Sequence, residues 1–344
     1  MSTRRATLRR ATLRRATCRT IFSAAMLAAA LAMAPAGAAA PAPGSGGADN
    51  GKDAGAFQFG VIAHSFKSAT DDSILQAAIR ETDRADLAFV VATGIKSAAE
   101  SCNDKLYNQR RKVLDDSARP LVVSLAASDW SDCKNSLGRS VAIERLNRLR
   151  EVFFPDDLSL GARKLPLFRL SSAAKFRGYA ENAHWESGQV LFATVNWPAN
   201  NNHFLPEAGR NSEFEDRLVA NRAWLKRLFS MAARKKLEGI VLFSDGNVGL
   251  QAEDSRALSS RLNGRQDGFA ETRRQVKALA QKFPGQVLMV DTQSASPGPA
   301  QIAWHDNLGH LSVTSGWAEI HVGAAGATEL FTLKGGGATD SAPR

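Results

Sequence analysis

Four side chains in this sequence could meet around a bound ion: His64, Asp129, Asp245 and Asp291. One imidazole with three carboxylates is a donor set suited to a single zinc or manganese ion. Two other readings use the same residues. They could line a pocket for a small anion, together with Gly94 and Ser128. Or Asp245 and Asp291 are loop and cap groups, His64 fills space, and Asp129 belongs to the local DWSDC segment (129–133). The remaining histidines, His184, His203, His305, His310 and His321, form no H-x-H or H-E-x-x-H pattern and are read as structural. Asn200–Asn202 with His203 reads as a polar loop after Asn196–Pro198. No G-x-S-x-G nucleophile elbow occurs, and GSGG (44–47) has neither a strand before it nor a helix after it, as a dinucleotide loop requires.

Positioning such groups takes strands that stop together. Apolar runs predict strands at Phe57–Ile62, Leu87–Ala92, Leu121–Leu125, Val190–Asn196, Gly239–Phe243 and Val287–Val290. Most are continuous rather than alternating, as in strands covered on both faces. Helices are predicted at Asp71–Thr82, Tyr107–Asp116, Ala142–Phe153, Glu213–Lys236 and Gly268–Phe283, with a β-rich stretch over Leu311–Leu333. In the fourth helix Phe214, Leu218, Leu225, Leu228, Phe229 and Ala232 make one apolar stripe. Alternating strands and helices over about 280 residues predict one α/β domain. In open α/β sheets, sites form at the carboxyl ends of the strands. His64, Thr93, Gly94, Ser128, Asp129, Asp245, Asn247, Asp291 and Gln293 fall there.

Three of these strand-to-loop segments, FQFGVIAHSFKS (57–68), VVATGIKS (90–97) and PLVVSLAASDWSDC (120–133), carry a further signal. Together with RLNRLREVFFPDDLSLG (145–161), ENAHWESGQVLFATVNWPANNN (181–202) and NRAWLKRLFSMA (221–232), the sequence resembles the calcineurin-like metallophosphoesterases over about Phe57–Leu333. The likeness is to an exported bacterial branch whose loops read GDTPYS, GDIKS and GDNEWTDC. It implies a layered sheet core flanked by helices, built around two metal ions. The metal ligands, however, are replaced. His64 stands at the first aspartate, Gly94 at the bridging aspartate and Ser128 at the asparagine; Asp291 and Ala295 stand at two histidines, and the fourth loop, LFSDGN, offers Asp245. A two-metal site holds its ions roughly 3.5–4 Å apart on a bridging ligand. Glycine has no side chain to bridge them, and a serine hydroxyl is a poor divalent ligand.

Residues 1–40 read as a secretory signal peptide. Seven arginines and no acid within residues 1–20 precede an apolar run from Ile21 to Ala34, and A-x-A choices end at Ala36, Ala38 or Ala40. Fourteen apolar residues at about 1.5 Å each are too short for a membrane span. RRAT repeats three times, and both the general and the twin-arginine export routes stay open. Cys18 lies on the wrong side of the apolar run for a lipoprotein. Residues 41–55 read as a flexible linker, 56–334 as the folded domain and 335–344 as a flexible tail.

Without the seven arginines, 37 basic residues face 34 acidic ones, about +3. The dense basic clusters, Arg110–Lys112 and Arg234–Lys236, fall on predicted helices, so no nucleic-acid surface is expected. Two cysteines remain, Cys102 and Cys133. An even pair in an oxidising compartment predicts a disulfide. The sequence thus predicts a periplasmic or secreted phosphoesterase-like protein that has lost most metal ligands, with no cofactor and no stable membrane span, acting on an unknown small anion or protein partner. The alternative is a phosphoesterase with a rewired site holding one zinc or manganese ion.

Overall fold

The computed structural model of the chain describes residues 55–67, 72–206, 211–250, 266–293 and 300–335. The expected signal peptide, Ala295, and all of the expected linker and tail except Gly55 and Gly335 lie outside the described residues; Gly335, expected in the tail, ends β12. The strands are β1 (Phe57–Ile62), β2 (Val90–Thr93), β3 (Leu121–Ser124), β4 (Phe168–Arg169), β5 (Ala183–Ser187) and β6 (Val190–Thr194). They continue with β7 (Gly239–Phe243), β8 (Gln286–Asp291), β9 (Ala303–His305), β10 (Leu308–Ser312), β11 (Trp317–Val322) and β12 (Phe331–Gly335). The described helices are α1 (Ser73–Arg84), α2 (Asp104–Asp115), α3 (Ala127–Trp130), α4 (Ala142–Phe153), α5 (Ser212–Lys235) and α6 (Ala270–Ala280).

The strands form two sheets, with orders β12-β11-β1-β2-β3 and β4-β5-β6-β7-β8-β10-β9. β1, β2 and β3 run parallel, as do β6, β7, β8 and β10. The outer strands are antiparallel additions. Each strand places successive side chains on opposite faces, and this splits the buried residues into three cores. Phe59, Val61, Phe89 and Val91 face Phe192, Val241, Phe243 and Leu288 between the sheets. On the other face of the first sheet, Ile62, Val90, Ala92 and Val123 meet Leu75, Tyr107, Leu114 and Leu146 of α1, α2 and α4. Leu191, Ile240, Leu242 and Met289 of the second sheet meet Trp224, Leu228 and Val276 of α5 and α6. The result is four layers, helix–sheet–sheet–helix. Continuous apolar strands are what this arrangement demands, because both faces are covered.

Between the sheets, aromatic rings make the contact. Phe59 stacks on Phe89 at 5.3 Å, Phe192 meets both edge-on at 5.2 and 4.9 Å, and Trp185 stacks on Phe243 at 6.0 Å. Trp185 belongs to β5, a mixed polar segment (AHWES) with no strand signature of its own; it pairs with β6 through a tight turn at Gly188, where φ is +56°. α2 starts three residues earlier than expected because the Asn103 side chain caps it, accepting the Leu106 N–H at 2.9 Å. β2 starts at Val90 rather than Leu87, although the Ala88 N–H already donates to the Gln58 carbonyl at 2.8 Å and the Phe89 carbonyl accepts the Gly60 N–H at 3.0 Å.

Cys102 and Cys133 lie at disulfide distance, with Cα atoms 5.8 Å apart and a sequence separation of 31. The link would join the loop after β2 to the segment after α3. Peptide mapping of protein produced in an oxidising compartment without reductant is expected to yield the joined Cys102–Cys133 peptide. Replacing both cysteines by alanine should lower unfolding stability by about 3–4 kcal/mol, from the loop entropy released. Two alkylatable thiols in such protein would contradict this.

Candidate functional site

The carboxyl ends of the parallel strands in both sheets meet at one edge, and the loops leaving them carry the expected residues. His64 follows β1, Gly94 follows β2, Ser128 and Asp129 lie in α3 after β3, Asp245 follows β7, and Asp291 ends β8. All five side chains are at least nine-tenths buried. A shared edge does not make them a shared ligand set. Each carboxylate is already engaged by donors of the protein.

Asp129 is fully buried. Its Oδ1 accepts the backbone N–H groups of Ile95 and Lys96 at 2.9 and 3.2 Å, and its Oδ2 accepts that of Ala126 at 2.7 Å. The last bond is half of a capping box, from the third helical position back to the residue preceding α3. Asp129 thereby fastens the β2 loop to the β3 loop. Burial pushes its carboxyl up to about 6, against the opposing pull of His64, the N–H donors and Lys96. The Tyr107 hydroxyl supports the same turn by donating to the Asp129 carbonyl at 2.9 Å. Burial raises the Tyr107 pKa, as does the Asp129 charge.

Asp245 performs the equivalent task between the sheets. Its Oδ2 accepts the N–H of Ala127, from the first sheet's loop, at 2.8 Å and that of Ala199, from the second sheet's, at 2.9 Å. Its Oδ1 accepts from Thr292 Oγ1 and Gln293 Nε2, both at 3.2 Å. Asp291 turns to the neighbouring strand. Its Oδ2 lies 2.7 Å from His310 Nε2, while its Oδ1 accepts Ser312 Oγ at 2.7 Å and the Gln293 N–H at 2.9 Å.

His64 and Gly94 form a complementary pair. Gly94 has φ +75°, and a Cβ built on it would sit 2.6 Å from His64 Nε2 and 2.9 Å from Cγ. The imidazole therefore occupies the space that a side chain at residue 94 would need. His64 Nε2 lies 3.2 Å from the Lys96 carbonyl and 3.3 Å from Ser128 Oγ, and Ser128 Oγ donates to the Lys96 carbonyl at 2.9 Å.

The edge also holds residues that sequence reasoning left out. Lys96 is 1 % exposed, and its ammonium donates to the carbonyls of Ser97 and Ser128 at 2.6 and 2.8 Å. Burial lowers its pKa, opposed by the charges of Asp129, Glu100 and Asp132. His310 and Ser312 are drawn in by the register of β10 on β8, which places Ser312 opposite Asp291. Their spacing of two in a strand puts them on one face, but nothing in the sequence gives that register. The Asn200 loop is more than a polar connection. Asn201, Asn202 and His203 all have positive φ (54°, 56°, 52°). Arg217, buried in α5, holds this left-handed turn by donating to Asn202 Oδ1 and its carbonyl at 2.5 and 2.7 Å, while Asn200 Nδ2 donates to Ser131 Oγ at 2.9 Å.

Among the described residues, no group of three or more His, Cys, Asp or Glu side chains is arranged to hold a metal ion. His64, Asp129, Asp245 and Asp291 are thus not assembled as the four-ligand set that their types allow. His64, Gly94, Ser128 and Asp129 are neighbours; Asp245 joins them through Ala127, and Asp291 joins through Thr292 and Gln293.

Gly94→Ala is expected to cost about 3 kcal/mol, combining left-handed backbone strain with the collision against His64. In a His64→Ala background the same change should cost about 1 kcal/mol, the backbone part alone. Chemical denaturation of the four proteins measures the coupling, and additive effects would show that the ring does not fill that space. No protein-family model matches the chain, and no curated protein matches it.

Proposed function

We propose that this chain is an exported, phosphoesterase-like protein that no longer hydrolyses phosphate esters and acts by binding a small anion or a protein partner. The observation that carries this reading is the saturation of the edge carboxylates. Asp129 gives its oxygens to three backbone N–H groups, and Asp245 gives its oxygens to two N–H groups and two side chains. A cation at these oxygens would compete with the buried donors, and each donor that it displaced would cost about 1–3 kcal/mol. The strand-end loops, which resemble those of calcineurin-like metallophosphoesterases, retain their spacing while Gly94 and Ser128 offer no bridging ligand. A layered, helix-flanked core with parallel strands in both sheets is compatible with that likeness. No cofactor is called for on this reading. Residues 56–334 act as the single working domain.

Periplasmic or secreted placement rests on the amino-terminal pattern and on the cysteine pair at disulfide distance. Among the described residues, no helix is long and apolar enough to cross a membrane. The second reading, a phosphoesterase with one zinc or manganese ion, draws on the 2.7 Å pairing of Asp291 with His310 at the strand ends. It would require Asp291 to exchange His310 and Ser312 for the ion.

The purified chain is expected to hydrolyse p-nitrophenyl phosphate and bis(p-nitrophenyl) phosphate no faster than buffer containing the same Mn²⁺. A metal-dependent rate that His64→Ala or Asp291→Ala abolishes would replace this proposal with the second reading.

A further inference from the structure

At the opposite end of the strands, the molecule carries a groove that the edge residues do not touch. Two hollows, of about 470 and 530 Å³, share Gln286 and Asp306 and lie between the outer strands of the two sheets. The first is lined by Trp304 on β9, Phe331 and Thr332 on β12, Gln286 at the start of β8, and by Asp306 and Glu329. The second continues past Lys236 and Glu238. Each volume falls within the range of small-molecule sites.

Trp304 makes up the floor. Opposite it in the ladder is Gly309, whose missing Cβ would lie 2.7 Å from the indole Cζ3, so part of the indole packs over the bare backbone of β10. Phe331 lies nearly parallel at 14°, 6.5 Å away between centroids. Covering a glycine explains one side of the ring. It does not explain why Trp304 remains 38 % exposed into a hollow. Around it are acceptors in excess. Gln286 Oε1 is buried without a hydrogen-bond partner among the described residues, and the carboxylate of Asp306 is 87 % exposed, with His305 Nδ1 3.2 Å away. Glu329 adds a second carboxylate, and no Lys or Arg lines the first hollow.

We propose that this groove binds a pyranose sugar, neutral or amino-substituted, with the C–H face of the ring on Trp304. An indole presents an electron-rich apolar plane, and a pyranose has one face of C–H bonds with hydroxyl donors around its rim. Those hydroxyls meet the carboxylates of Asp306 and Glu329. The two carboxylates in the first hollow set the charge preference. An amino sugar gains from them, a neutral sugar is accepted, and an acidic sugar is repelled. This inference is independent of the reading of the opposite edge.

The test is saturation-transfer NMR and calorimetry on the full chain with three trisaccharides: a glucosamine trimer, cellotriose and tri-galacturonate. The glucosamine trimer should bind tightest and tri-galacturonate at least about tenfold more weakly. Trp304→Ala should reduce glucosamine-trimer affinity by about tenfold or more. Because that change also uncovers Gly309, Asp306→Asn is the second variant. Asparagine tolerates the positive φ of 52° at this turn, so the fold is kept while the preference for the amino over the neutral trimer shrinks. No saturation transfer to any trisaccharide at millimolar concentration would overturn the proposal. So would binding that Trp304→Ala leaves unchanged, or a preference for the acidic trimer.

Discussion

Two buried carboxylates hold the strand-end edge of this protein together. Asp129 and Asp245 are 0 % and 1 % exposed, and between them they accept five backbone N–H groups from three different loops. An ionised carboxylate in such a place is tolerated only when its lone pairs are filled. Equally, the loop N–H groups, removed from water, need acceptors. Carboxylates and loops therefore fix one another. Asp129 sets the approach of the β2 and β3 loops, and Asp245 sets that of the two sheets. The buried Lys96 ammonium, which donates to the Ser128 carbonyl, sits within the pair of loops that Asp129 joins.

That same arrangement shapes what the edge can do. Side chains committed to backbone donors are poor candidates for a cation, and the Gly94 position is filled by the His64 ring rather than by a ligand of its own. What remains at the edge is a set of buried polar side chains held by internal hydrogen bonds. A shape held in that way needs little reorganisation when a partner binds, and the proposed binding role draws on this.

Much of the scaffold was legible in the sequence because both faces of its central strands are covered. Continuous apolar runs at Phe57–Ile62 and Gly239–Phe243 coincide with β1 and β7, and the Ala142–Phe153 periodicity coincides with α4. β5 was not legible, since its single large contribution, Trp185, sits among His184, Glu186 and Ser187 and acquires its role only by stacking on rings from other strands. The division into two sheets was hidden for a similar reason: both are made of the same kind of strand, and alternation within a strand does not say which layer it faces. At the site, the strand ends could be placed, and with them His64, Gly94, Ser128, Asp129, Asp245 and Asp291. The partners of those side chains could not. Asp291 meets His310 and Ser312 through a register set by β10, and Asp245 meets Ala127 across a separation of 118 residues.

On the proposed reading, internal donors stand at the strand ends where a metal would otherwise be held. Calorimetric titration of Mn²⁺ into the wild-type chain, beside a variant carrying His64→Asp, Gly94→Asp, Ser128→Asn, Asp291→His and Ala295→His, tests it most directly. Removing the imidazole makes room for a carboxylate at residue 94, so no heat of binding is expected for the wild type and measurable binding for the folded variant. Stoichiometric Mn²⁺ binding by the wild type, lost on Asp245→Asn or Asp129→Asn, would contradict it.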